Sequence, residues 1–168
     1  MKTLFVLRHA KSSWDNNDLS DFDRPLNKRG LKTVPLMGEI MYENGYLPSL
    51  IVSSPAKRAK QTAILIKETA QMRSKIRYVE GIYEASPFQL LQIVSELDET
   101  HESAMIVGHN PGLEGLVKIL TGKSRVMPTA TLAIVDLNPE KWSEITPESG
   151  KLRTVIRPKE NLKSRNAT

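Results

Sequence analysis

The chain has 168 residues, a formal charge of +5, three histidines and no cysteine. That length buries a core without covalent staples, and the missing thiols exclude cysteine nucleophiles and cysteine metal ligands. The charge favours anionic partners, yet the basic residues are scattered and aromatics make up only 5%, too few for the stacking platforms of a dedicated nucleic-acid binder.

No segment approaches the roughly 20 apolar residues of a membrane span, and the N-terminal apolar run is too short for a signal peptide. A soluble cytoplasmic protein is expected, with no membrane partner. The organisation expected is one domain over residues 1–158, followed by a polar tail over 159–168.

Residues 3–11 read TLFVLRHAK. Leu4, Phe5, Val6 and Leu7 form a continuous apolar run suited to a strand buried on both faces, ending abruptly in Arg8 and His9. In open α/β sheets ligands gather beyond the carboxyl ends of strands, so a cation and an imidazole there are placed to meet an anion. A strand that merely ends in polar residues is the competing interpretation. The next stretch, SSWDNNDLSDFDRPLNKRG, reads as a long loop. Its Asp residues lack the central Gly and terminal Glu of a calcium loop and are expected to serve as solvated and capping groups.

Asn27 is placed to cap a helix whose apolar positions are Leu31, Val34, Met37, Ile40 and Met41, with Pro35 expected to kink it or move its start. Residues 50–52 make a short strand, after which Ser54 and Pro55 read as the N-cap and first residue of a second helix. Arg58 falls in its first turn, where unpaired N–H groups and the positive dipole end favour anions. Residues 76–79 suit another strand. Ser86, Pro87 and Gln89 have the form of a capping box, and Glu84 just before them is either a surface carboxylate or a proton donor overhanging a site. Residues 104–107 suit a buried strand, with Asn110 and Pro111 opening a helix on Leu113, Leu116, Val117 and Leu120. His109 therefore sits at a second strand-to-helix junction. His101 is expected at the surface. Residues 131–137 and 152–156 read as a final pair of strands. Alternating strands and helices predict an α/β three-layer sandwich, its mainly parallel central sheet flanked by helices.

These motifs resemble a family. RHA at residues 8–10 resembles the RHG signature of the histidine phosphatase superfamily, with its phosphoglycerate-mutase-like fold. SSPAKRAKQTA at 53–63 resembles that family's second arginine motif, and GHNPG at 108–112 falls at its second histidine. The order is the family's, and RHAKSSW and DRPLNKRG are most similar to the compact SixA-like branch, associated with phosphohistidine phosphatases. The resemblance implies a cofactor-independent phosphatase, with no metal, acting on protein phosphohistidine or small phosphomonoesters. It implies that His9 is the nucleophile, that Arg8 and Arg58 clamp the phosphoryl oxygens, and that His109 stabilises the transferring group, assisted near Asn110. Lys11 is expected at the mouth of the site and Glu84 as the proton donor. A phosphoryl group carries nearly two negative charges, so its transfer needs preorganised cations and an in-line nucleophile. Without an obvious inserted lid the site is expected to be open, suiting a protein-borne phosphoryl group. Ala10 replaces the family's Gly, which requires that its φ stay negative. A noncatalytic phosphate- or phosphoprotein-binding module is the alternative from another class.

Overall fold

The computed structural model describes residues 1–158 and Glu160. Six strands form one sheet in the order β3-β2-β4-β1-β5-β6. These are β1 (Lys2–Arg8), β2 (Leu50–Ser53), β3 (Lys75–Tyr78), β4 (Ser103–Gly108), β5 (Leu132–Leu137) and β6 (Gly150–Ile156). The first four run parallel, while β5 and β6 are antiparallel additions at one edge. The helices are α1 (Lys28–Glu43), α2 (Lys57–Thr69), α3 (Pro87–Ser95) and α4 (Gly112–Thr121).

The period of two in β1 decides what lies where. Leu4 and Val6 join the core under α3 and α4, while Phe5 and Leu7 join the core under α1 and α2. All four are buried, each worth about 1.5–3 kcal/mol of transfer free energy. The layers are thus helices, sheet, helices, as the alternating pattern predicts.

Local signals hold in most places and shift in a few. Asn27 Oδ1 accepts the Gly30 N–H at 2.9 Å and starts α1 there. The helix then runs through Pro35 to Glu43, so the proline does not move its start. The bond that Pro35 cannot donate would fall on the carbonyl of Leu31, a residue that is 46% exposed. Leu31 itself leaves the apolar stripe. Helix α2 begins at Lys57, with Ala56 rather than Ser54 at the cap position. Helix α4 begins at Gly112, one residue after Pro111. The capping box of Ser86 and Gln89 forms on both sides. The expected tail, apart from Glu160, lies outside the described residues. No helix among the described residues is long and apolar enough to cross a membrane.

Candidate active site

The parallel register of β1 and β4 pairs Arg8 with Gly108, and the His9 N–H donates to Gly108 O at 3.1 Å. His9 and His109 are therefore the next residue after the last pair on two adjacent strands. Their rings stand 5.1 Å apart between centroids, tilted by 52°. Strand β2, on the other side of β4, ends at Ser53 and feeds the first turn of α2, which carries Arg58. Three strand ends thus bring Arg8, His9, Arg58 and His109 to one cavity of about 490 Å³, which Lys11, Asp21, Arg24 and Asn110 also line.

His9 is 6% exposed and its protonation pattern follows from its contacts. A carbonyl only accepts, so the contact of Nδ1 with Ala10 O at 2.7 Å places the ring proton on Nδ1. Nε2 is left with its lone pair, toward which Arg58 Nε donates at 3.4 Å. Burial lowers the imidazole pKa to about 3, opposed by the Ala10 carbonyl and helped by His109, Arg58 and Arg8. His109 is lowered to about 4, first by burial and then by Arg58. Both rings are neutral at neutral pH. His109 Nε2 lies 2.8 Å from Ser54 Oγ, and its Nδ1 is buried without a partner.

Ala10 answers the question its side chain raises. It is absent from the residues with positive φ, and its N–H donates to Thr62 Oγ1 at 3.0 Å. Nothing there requires glycine.

The cations are held differently. Arg8 donates through Nη1 to Met127 O at 3.1 Å, and its Nε is buried without a partner. Arg58 is pinned on its outer edge by Asp21. Nη1 donates to the Asp21 carbonyl at 2.7 Å and Nη2 to its carboxylate at 3.1 Å. Tyr83 donates its hydroxyl to the same carboxylate at 2.6 Å and lies edge-on to the His109 ring. The Tyr83 hydrogen bond, with Arg58 and Arg24, keeps the Asp21 carboxyl below its usual range, so it stays ionised.

The long loop brings Asp21 there because its ends are zipped together. Asn27 N–H donates to Lys11 O at 2.9 Å and Ser13 N–H to Pro25 O at 2.8 Å, next to a bridge between Ser12 and Leu26. Helix α1 closes onto this junction at Gly30, where a Cβ would lie 2.3 Å from Lys11 O, a contact only glycine permits. Inside the loop Arg24 is buried, stacks 3.3 Å from the Trp14 ring and donates to Ser12 Oγ and Asp21.

Three expected residues stand apart from the rest. Asn110 lines the cavity, but its amide hydrogens go to Glu114 Oε1 at 3.0 Å and Met127 O at 2.9 Å, and its Oδ1 accepts the Glu114 N–H. It ties the wall rather than offering donors to a ligand. Glu84 is exposed, with φ of 57°, and lines an adjoining cleft with His109 and Asn110 instead of the main cavity. Lys11 is exposed at the rim. Sequence reasoning missed Asp21, Arg24, Tyr83 and Ser54. Arg24 sits in the DRPLNKRG segment, but nothing local distinguishes Asp21 from its acidic neighbours. His101 is at the opposite end, with Nδ1 2.8 Å from Ser49 Oγ.

A neutral imidazole whose free lone pair meets only a long contact from Arg58, ringed by permanent cations at the carboxyl edge of a parallel sheet, suits a doubly charged phosphoryl group. The model of the histidine phosphatase superfamily (branch 1) matches residues 4–90. An uncharacterised chloroplastic protein of Arabidopsis thaliana is 30% identical over 174 residues, covering 96% of this chain and 80% of its own length. Among solved structures, one assigned as the phosphohistidine phosphatase SixA of Agrobacterium tumefaciens gives a TM-score of 0.81 at 27% identity, with 94% of this chain and 98% of the other covered. A protein histidine phosphatase SixA complexed with tungstate shares the fold, with a TM-score of 0.82 at 21% identity over 95% and 99% of the two chains. The chain belongs to the histidine phosphatase superfamily.

Proposed function

We propose that this phosphatase works by double displacement at His9, on small phosphomonoesters or protein phosphohistidine. Nε2 attacks phosphorus, the bond from phosphorus to the leaving group breaks, and its electron pair departs with that group. The product is a phosphohistidine on His9. Water then attacks phosphorus, the bond to Nε2 breaks, phosphate departs with the water's protons shared among its oxygens, and neutral imidazole returns.

The observation that carries this reading is His9 itself. Its Nδ1 is committed to Ala10 O, and its Nε2 faces the cavity edge held by Arg58. A lowered pKa keeps it unprotonated and nucleophilic at neutral pH. Arg8, with an unpartnered Nε, and Arg58 supply hydrogen bonds to the equatorial oxygens. His109 Nε2 lies 2.8 Å from Ser54 Oγ, and with the hydroxyl as donor the ring proton sits on the partnerless Nδ1, the group we assign to a phosphoryl oxygen. Lys11 guides the substrate at the rim. Asn110 acts through the wall it ties.

Turnover of an aryl phosphate in EDTA, with acid and base quenching of the labelled enzyme, tests the scheme. The phosphoenzyme should survive base, decay in acid and be missing from His9→Ala, whose rate should fall by at least roughly 10⁴-fold, the scale for losing a nucleophile. Equal rates in the two proteins would overturn it. Glu84 is assigned as proton donor for poor leaving groups only. Glu84→Gln should therefore slow phenyl phosphate by roughly 10²-fold and leave 4-nitrophenyl phosphate nearly unchanged; a uniform effect on both esters removes it from that role.

A further inference from the structure

A second cavity, of about 570 Å³, adjoins the first, and Lys11 and Thr129 line both. Arg29, from the first turn of α1, and Arg157, just beyond β6, face it together with Lys11. Among the described residues the acid in its lining is Glu160, 3.9 Å from Arg157. The remaining wall is largely apolar, with Pro128 and Pro158 prominent. Arg157 is held in place by its Nε, which donates to Val126 O at 3.0 Å.

The partition between the cavities is rigidly tied to the reacting groups. Residues 127–130 receive Arg8 Nη1 and the Asn110 amide at Met127 O. The Met127 N–H donates to Glu114 Oε1 at 2.8 Å, and the Ala130 N–H donates to the Arg8 and His9 carbonyls. Because Lys11 and Thr129 line both cavities, a molecule whose phosphoryl group sits against His9 has room to extend past them into the second space. The volume and the mix of an apolar wall with a few placed charges are those of a small-molecule site.

We propose that this cavity is a subsite for the leaving group of a small phosphomonoester that carries a second anionic group on a partly apolar body. This deepens the phosphatase reading and rests on it. Among the described residues, three cations against one carboxylate select the anion, and the proline-lined wall covers the carbon skeleton. A neutral leaving group forfeits the charge contacts, and a protein-borne phosphohistidine leaves the cavity unfilled.

The test uses a matched pair of aryl phosphates, one bearing a hexanoate chain and the other the corresponding hexanamide, with a second pair of non-hydrolysable phosphonates carrying the same tails. At low ionic strength the native chain should prefer the acid in kcat/KM by roughly tenfold, the value of one charge-assisted contact. In the Arg29→Gln/Arg157→Gln double variant the acid-to-amide ratio should fall to about one. Calorimetry of the phosphonates should show the same ratio in binding. Equal handling of acid and amide by the native chain, or a preference that survives in the double variant, overturns the subsite while leaving the phosphatase reading intact. Preferential binding of the acid phosphonate without turnover of either ester does the reverse.

Discussion

Strand β1 begins in a buried cation, Lys2, and ends in a half-buried one, Arg8, and the two are treated in opposite ways. At its start Lys2 is 1% exposed, and its Nζ donates to Glu99 O at 2.8 Å and His101 O at 2.9 Å, with the Glu99 and Glu102 carboxylates 3.9 and 3.6 Å away. Trp142 packs under it, 5.6 Å from Nζ to ring centroid. Two of the three ammonium N–H groups are bonded, and both carboxylates lie within ion-pair range. At the other end Arg8 makes one side-chain hydrogen bond and keeps a buried Nε without a partner. The other buried unpartnered side-chain atoms among the described residues are Arg24 Nε, His109 Nδ1 and Thr131 Oγ1. Arg24 and His109 line the same cavity, and Thr131 sits where its carbonyl accepts the Arg8 N–H. A buried donor without a partner costs about 1–3 kcal/mol, a cost that the phosphoryl group proposed above would relieve at this end. Lys2, held by two carbonyls and two carboxylates, is assigned a structural role, and Arg8, with a donor left over, the proposed working one.

Substitutions at the two ends put that distinction at risk. Arg8→Ala and Arg58→Ala should each lower kcat/KM by roughly 10²-fold or more, the scale for one preorganised donor, with little loss of thermal stability. A large fall in Tm with modest loss of rate would mean that Arg8 is structural after all. Asp21→Asn probes how a working cation is aimed. With the carboxylate gone, Arg58 loses its outer anchor, and kcat should fall roughly tenfold because a slightly misplaced donor serves the transition state poorly. Unchanged kcat would show that Arg58 is positioned without Asp21. Lys2→Met should have the smallest effect on rate, less than about twofold, yet destabilise the fold by about 1–3 kcal/mol by orphaning Glu99 O. Thermal denaturation would show it as a loss of several degrees, and a loss of turnover exceeding the loss of folded protein would contradict the division.

The parts of this arrangement legible in the sequence are those fixed by local rules. The apolar run of β1, the capping box of α3 and the stripe of α4 each follow from a period or a cap. Arg8, His9, Arg58 and His109 were legible because each sits beside a strand end or helix start. Asp21 was not, because its partners Arg58 and Tyr83 are 37 and 62 residues away and the loop around it is uniformly acidic. Lys2 was equally hidden, since a lysine opening a strand carries no sign that two distant carbonyls will receive it. Ser54 read as a helix cap because Ser-Pro usually is one. Its hydroxyl instead accepts the Ala56 N–H and meets His109.

The pairing of Arg8 with Gly108 has a consequence for divergence. The backbone positions of the two histidines are set by main-chain hydrogen bonds between β1 and β4, which every amino acid except proline supplies. Core side chains on either face of the sheet are thus free to drift, provided they stay apolar and of similar volume, without changing the distance between the two histidines. The tolerance of the scaffold and the fidelity of the chemistry reside in different atoms. Wide sequence variation at a constant site is the pattern such a division allows.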